Sequence, residues 1–335
     1  MTLTPSKLLA QTARSKRAVI AMSEGSDPRI IDGSLAAIEL GLASIILIGD
    51  RAEILQALSQ AGRCETEHLK IHDPATSDLT DGLATVFHDL RKHRGMDAKT
   101  AQTAARDPLL YAALLVRCGH ADGTVGGAVA TTSDVVRAAI QAIGKAPDAS
   151  LVSSFFLMYP PGSAADGRAM LYSDCGLVID PSSDELASIA EQSAASFDAL
   201  IQGDAQIAML SFSTKGSAKH TAVTKVTEAT QTLRKARPDL RLDGELQFDA
   251  AFVPEIGQRK APGSERAGLA NIMIFPNLDA GNIAYKITQR LGGYTAIGPV
   301  LQGLASPAND LSRGCTATDV TEMIAVTALQ ALAQQ

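Results

Sequence analysis

The 335-residue chain has 46% hydrophobic and 20% charged residues, an ordinary globular balance, and it is long enough for two domains. A formal charge of −6, 4% aromatic residues and no Trp argue against a nucleic-acid binder. Four scattered cysteines with no Cys-x-x-Cys pair argue against a zinc site and a disulfide scaffold, and no apolar run reaches the ~18 residues that span a bilayer.

The N-terminus, Met1-Thr-Leu-Thr-Pro-Ser-Lys, lacks an apolar signal core, so a cytoplasmic protein is expected. Short apolar strands then alternate with helices. Ala18–Met22 reads as a buried strand. Glu24-Gly-Ser-Asp27 reads as a turn, and Asp27 caps a helix that starts at Pro28 and runs to about Leu40. Ser44–Ile48 and Leu69–Ile71 are strands around a helix at Ala52–Ala61. Asp78–Cys118 is mainly helical, with breaks near Gly95 and Asp107-Pro108. Gly123–Gly126 is a short strand, and a helix over Val135–Ile143 follows it.

The polar Gly144–Ala149 segment marks a boundary. Beyond it, strands are expected at Leu151–Met158, Met170–Tyr172, Leu177–Ile179, Gln206–Ser211, Leu242–Phe248 and Asn271–Phe275. Helices are expected at Ser183–Leu200, Lys219–Arg237, Ala280–Leu291 and Val320–Ala333. The order implies an α/β protein of two domains, each a mostly parallel sheet flanked by helices. The final helix is expected to rejoin the first domain, which gives 1–146 with 300–335 as one domain and 147–299 as the other. Ligands favour a cleft between such domains.

Four stretches have the residue types that chemistry needs. Leu90-Arg-Lys-His-Arg-Gly-Met96 is a basic run that suits a helix C-terminus. Ala121–Arg137 passes from strand to Gly-rich loop to a helix opened by hydroxyls, and its amides suit an anion. Gly292–Gly303 and Asn277–Asn282 read as turn chemistry around a helix.

The fourth stretch, Gly298–Asp319, gathers an amide (Asn309), a hydroxyl (Ser312), a fixed cation (Arg313) and an acid (Asp319) before a helix. Thr316-Ala-Thr-Asp319 is also a capping-box pattern, so Asp319 has a structural reason to be present. No His is placed to activate Ser312 as a nucleophile. Cys315 adjoins the site, and a merely neighbouring thiol is its simplest reading. The six histidines show no metal-ligand spacing, so no metal is expected.

Pro307-Ala-Asn-Asp-Leu-Ser-Arg-Gly-Cys315, with Asp319 downstream, resembles the signature of the phosphate acetyltransferase (phosphotransacetylase) family, which usually has Val in place of Ala308. Leu90–Met96 resembles that family's Leu-Arg-x-x-Lys-Gly-Met run. Gly127-Ala-Val-Ala-Thr-Thr, with Arg137, resembles its Gly-Ala-x-x-Thr-Thr element, which often has Asn in place of Ala130. Pro276-Asn-Leu-Asp-Ala-Gly-Asn282, Gly298-Pro-Val-Leu-Gln-Gly303 and the strand Asp243–Asp249 are similar to further family elements, in family order.

The resemblance implies an isocitrate/isopropylmalate dehydrogenase-like architecture with the active-site cleft between two domains. It implies the reaction acetyl-CoA + phosphate ⇌ coenzyme A + acetyl phosphate, in a ternary complex with coenzyme A as substrate and no cofactor. Asp319 would be the general base for the thiol, and Arg313 with Ser312 would stabilise developing charge. Arg91 and Arg137 would hold coenzyme A. Thr131, Thr132, Asn309, Gln302, Tyr294 and Asn282 would line the acyl phosphate site. A homodimer is implied. The alternatives are a phosphate butyryltransferase, with Phe156 and Met158 considered for the acyl pocket, a non-catalytic sensor of acyl-CoA or acyl phosphate, and a metal-dependent decarboxylating dehydrogenase.

Overall fold

A computed structural model describes residues 5–161, 168–201 and 203–334. The first four residues of the N-terminal segment lie outside the described residues. The chain divides into two compact units: Pro5–Pro147 with Leu304–Gln335, and Asp148–Gly303.

The first unit runs α1 (Pro5–Ala13), β1 (Ala18–Met22), α2 (Pro28–Glu39), β2 (Ala43–Ile48), α3 (Arg51–Gln60), β3 (Leu69–His72), α4 (Thr80–Arg91), α5 (Ala98–Ala104), α6 (Pro108–Arg117), β4 (Gly123–Gly126) and α7 (Thr132–Ala142). The second unit holds β5 (Ser153–Tyr159), β6 (Met170–Ser173), α8 (Ser183–Ile201), β7 (Ile207–Leu210), α9 (Thr221–Ala236), β8 (Leu242–Leu246), α10 (Phe248–Phe252), α11 (Pro254–Lys260), β9 (Ile272–Ile274), α12 (Leu278–Arg290) and β10 (Thr295–Gln302). The chain then returns to the first unit with β11 (Ala308–Asp310) and α13 (Ala317–Ala333).

In the first unit all five strands are parallel, in the order β11-β4-β1-β2-β3. The near-continuous apolar runs Ala18-Val-Ile-Ala-Met22 and Ala43–Ile48 suit strands covered on both faces. Helix α13 packs on α2 at Gly33. A Cβ there would lie 2.6 Å from Val320 Cβ and 2.7 Å from the Ala317 carbonyl oxygen, so only glycine permits this approach. The Thr321 hydroxyl donates to the Gly33 carbonyl at 3.1 Å across the same crossing.

The second unit has a six-stranded sheet in the order β10-β5-β6-β9-β7-β8. It is parallel from β6 to β8 and antiparallel at the β10–β5 and β5–β6 pairs. Ten residues separate Tyr159 from Met170, fewer than a parallel crossover needs. Three of the five pairings are parallel, so the sheet is mostly parallel as expected, with an antiparallel edge at β10 and β5.

Three local expectations change. Leu177–Ile179 is not a strand, because the buried Asp174 carboxylate accepts from the Gly176, Leu177 and Val178 amides at 2.8, 3.0 and 3.3 Å. Those donors are lost to any ladder. Phe248 opens α10 and does not extend β8. Residues 295–302, read as turn chemistry, form the edge strand β10, with a register shift between Ile297 and Val300 where Gly298-Pro299 sits. Proline is tolerated at such an edge irregularity because no ladder donor is needed there. No helix among the described residues is long and apolar enough to cross a membrane.

Candidate active site

In the first unit the C-terminal ends of adjacent strands β4 and β11 each feed a loop and then a helix. This is the edge where open parallel sheets place their ligands. The Leu311 amide donates to the Gly126 carbonyl at 2.7 Å, which ties the two loops together at their roots.

The β4–α7 loop begins at Gly127, which has φ +101°, a left-handed value that favours glycine. A Cβ here would also collide with Asp310 Oδ1. Thr131 is the N-cap of α7, and its hydroxyl oxygen accepts from the Asp134 amide at 3.2 Å. Thr132 points its hydroxyl at Asp310 Oδ2, 2.5 Å away. Asp310 is fully buried, and burial pushes its carboxyl up to about 7. The Thr132 hydrogen bond and Arg313 oppose that rise, and the charge of Glu24 adds to it.

The loop amides expected to cradle an anion already hold one. Ala128 N–H donates to Glu24 Oε2 at 2.7 Å, and Val129 and Ala130 N–H donate to Glu24 Oε1 at 3.0 and 2.7 Å. Arg29 completes the linkage. One end of its guanidinium donates to the Arg313 carbonyl at 2.7 Å, and the other donates to the Ala128 carbonyl at 2.8 Å. Asp27 grips the same guanidinium with both oxygens, and that contact holds the Asp27 carboxyl below its ordinary range. Glu24 and Arg29 were both missed in the sequence. Their one legible signal is position, just past the end of β1, beside the edge that carries the site.

On the second loop, Ser312, Arg313 and Gly314 are exposed. Ser312 Oγ accepts from the Gly314 amide at 3.2 Å, and Arg313 makes no ion pair among the described residues. The capping box at the start of α13 forms: Thr316 Oγ1 accepts from the Asp319 amide at 3.3 Å, and Asp319 accepts from the Thr316 amide at 2.7 Å. The Thr316 hydroxyl also donates to Asp319, at 2.9 Å. Both of these bonds end on Oδ2.

Cys315 is buried, and burial first, then the neighbouring Asp319, push its thiol above its ordinary value, while Arg29 opposes. A thiol held protonated is a poor nucleophile. One turn into the helix, Glu322 is buried and raised to about 7, chiefly by burial and further by Asp319.

The remaining expected residues separate into those on the same unit and those on the other. Asn309 is fully buried, and its amide donates to Thr327 Oγ1 and Gln330 Oε1 at 2.9 and 2.7 Å, pinning β11 to α13. Arg137 sits on α7 in an exposed ion pair with Asp134 at 2.6 Å. Arg91 ends α4, which packs against α7.

Gln302, Tyr294 and Asn282 belong to the second unit. Gln302 is buried among serines: its amide nitrogen donates to Ser153 and Ser193 Oγ at 2.9 and 3.1 Å, and its oxygen accepts from Ser196 at 2.9 Å. Asn282 donates to the Cys175 carbonyl at 3.0 Å. Tyr294 packs on the apolar cluster that contains Phe156 and Met158, both core residues here. Among the described residues no three His, Cys, Asp or Glu side chains converge as a metal site.

The phosphate acetyl/butaryl transferase family profile matches residues 6–328. The chain belongs to this family. A phosphate acetyltransferase of Paracoccus denitrificans is 47% identical over 327 residues, covering 97% of this chain and 99% of that one. One of Acetivibrio thermocellus is 44% identical over 324 residues, covering 96% and 97%. The crystal structure of a phosphotransacetylase from Streptococcus pyogenes is 40% identical, covers 98% of this chain and 99% of that one, and superposes with a TM-score of 0.92. In this phosphate acetyl/butaryl transferase family member, the signature run 307–315 comprises β11 and the loop that leads into the Asp319 cap, and the Thr131-Thr132 element faces it through Asp310.

Proposed function

We infer that the chain is a phosphate acetyltransferase, catalysing acetyl-CoA + phosphate ⇌ coenzyme A + acetyl phosphate. The observation that carries the reading is near-full-length identity of 42–47% to four phosphate acetyltransferases. The geometry supports it by putting Ser312, Arg313 and Asp319 on one loop–helix junction.

In the acetyl-CoA-forming direction, Asp319 takes the thiol proton of coenzyme A. Its Oδ1 accepts no hydrogen bond among the described residues, so that oxygen can receive the proton while Oδ2 keeps the cap. The thiolate then attacks the acetyl carbonyl carbon. The C=O electron pair moves to oxygen, and Arg313 and the Ser312 hydroxyl stabilise it there. Collapse of the adduct returns that pair to re-form C=O and breaks the C–O bond to phosphate, which leaves with the electrons of the broken bond.

Thr131 and Thr132 bind the acyl phosphate from the neighbouring loop. Arg91 and Arg137 pair with the phosphates of coenzyme A. Asn309 acts from beneath, by holding β11 to α13. Tyr294, Asn282 and Gln302, all in the second unit, keep the acyl phosphate role that the family resemblance implies. The reading includes an isocitrate/isopropylmalate dehydrogenase-like architecture, a homodimer and a cytoplasmic location.

The family name spans acetyl and butyryl transfer, so acyl-chain preference is the finer test. Thioester absorbance with acetyl, propionyl and butyryl phosphate plus coenzyme A decides it. Acetyl phosphate is expected to give the highest kcat/KM. A higher value with butyryl phosphate makes the chain a phosphate butyryltransferase, and no thioester with any donor removes the transferase reading.

A further inference from the structure

Three successive backbone amides, Ala128 to Ala130, converge on a single carboxylate in the β4–α7 loop. Such a nest is what a chain offers to a free phosphate or carboxylate. Here the anion is built in, carried by Glu24 more than a hundred residues earlier in the chain. The residues immediately after the nest are Thr131, which caps α7, and Thr132, which reaches Asp310. Where the nest sits therefore decides where both hydroxyls stand. The Ala128 carbonyl, at the start of the nest, is also the one Arg29 grips while holding the Arg313 carbonyl.

We propose that Glu24 is a positioning residue for acyl phosphate: its carboxylate stands in for a bound anion in the 128–130 nest, fixes Thr131 and Thr132, and leaves the substrate phosphate to the side chains. This rests on the assignment of Thr131 and Thr132 to acyl phosphate. Glu24 touches no reacting atom in this scheme. Its loss acts through the loop, so it lowers kcat/KM for acetyl phosphate and leaves the KM for coenzyme A alone.

The test combines steady-state kinetics with amide hydrogen exchange at 128–130. In Glu24→Ala, exchange at these amides is expected to accelerate while exchange in β4 stays as in the parent. The kcat/KM for acetyl phosphate is expected to fall ~10²-fold, the scale of an ångström-sized misplacement. The KM for coenzyme A is expected to stay within about twofold, since Arg91 is on α4 and Arg137 lies beyond the first turn of α7. Sodium formate, small enough to enter the vacated nest, should slow the exchange again and recover part of the lost kcat/KM, with no such effect on the parent.

Parent-like exchange, parent-like kcat/KM for acetyl phosphate, or a loss that formate does not reverse each overturns the proposal. If Glu24→Ala does not fold, Glu24→Gln decides. It keeps the side-chain shape and one acceptor oxygen, and about a tenfold loss is expected from the missing charge. Parent-like kinetics there overturn the proposal equally. Exchange does not depend on what touches substrate. Parent-like kinetics in Thr131→Val and Thr132→Val, with fast exchange in Glu24→Ala, would therefore remove the substrate assignment and leave the nest itself intact.

Discussion

The amide and hydroxyl of Thr316 both donate to Oδ2 of Asp319, at 2.7 and 2.9 Å, and neither reaches Oδ1. In the proposed mechanism one carboxylate thus does two jobs with two oxygens. In Asp319→Asn the cap can persist through the amide oxygen, while the proton acceptor is lost. Turnover is expected to fall ~10²–10⁴-fold, the usual contribution of a general base. Steady-state kinetics at saturating coenzyme A check this, and near-parent turnover would take Asp319 out of that role.

Thr316→Ala separates the cap from the chemistry. It removes the hydroxyl that accepts from the Asp319 amide and leaves the carboxylate in place. Stability should drop by about 1 kcal/mol, as for other lost N-caps. Urea unfolding measures the drop. The fractional loss of turnover should be far smaller than in Asp319→Asn.

Buried Asp310 sets a pH dependence of stability. Its carboxyl is raised from 3.8 to about 7 in the folded chain, so between those values the folded state binds more protons than the unfolded state. Its contribution to stability is therefore fully present below about pH 4, is lost as pH rises towards 7, and changes little above that. Asp310→Asn removes this titration. Across that window the unfolding free energy of the variant, relative to the parent, should rise by about 1.4 kcal/mol per pH unit. Urea midpoints at pH 5, 6 and 7 test the slope, and parallel curves for the two proteins would contradict it.

Arg91→Ala should raise the KM for coenzyme A by about 10–100-fold, the scale of a lost charge-assisted hydrogen bond, with turnover at saturation little changed. A fall in turnover alone, with KM unmoved, would argue that Arg91 does not hold coenzyme A.

Gly33→Ala tests the α2–α13 crossing. The new methyl would meet Val320 and the Ala317 carbonyl, and the two helix backbones must part to admit it. A loss of about 1–3 kcal/mol is expected, as for other overpacked sites. Thermal unfolding reads it directly.

Much of the framework was legible because it is local. Ala18–Met22 and Ala43–Ile48 state their burial in their own apolar runs, and Asp27-Pro28 states a helix start. Ser312, Arg313 and Asp319 were legible for the same reason, being close neighbours in the chain. Glu24 and Arg29 were not. Glu24 meets its amides from 104 to 106 residues away, and Arg29 meets the Arg313 carbonyl from 284 residues away. No window of sequence contains both partners. The edge strand β10 was hidden differently: Gly298-Pro299 signals a turn, and only the pairing with β5 shows that it interrupts a ladder.

The first unit is interrupted between Pro147 and Leu304, and its last strand and helix come from the final thirty or so residues. A ribosome making this chain therefore releases β1 to β4 long before their neighbour β11 exists. Until then one side of β4 has no strand beside it, and the groove at Gly33 lacks Val320. The second unit, encoded as one continuous stretch, can finish first. A released chain truncated after residue 303 should be protease-resistant in the second unit and still sensitive in the first. The candidate active-site loop would then be among the last parts of the first unit to take shape, formed only after the whole second unit has been made.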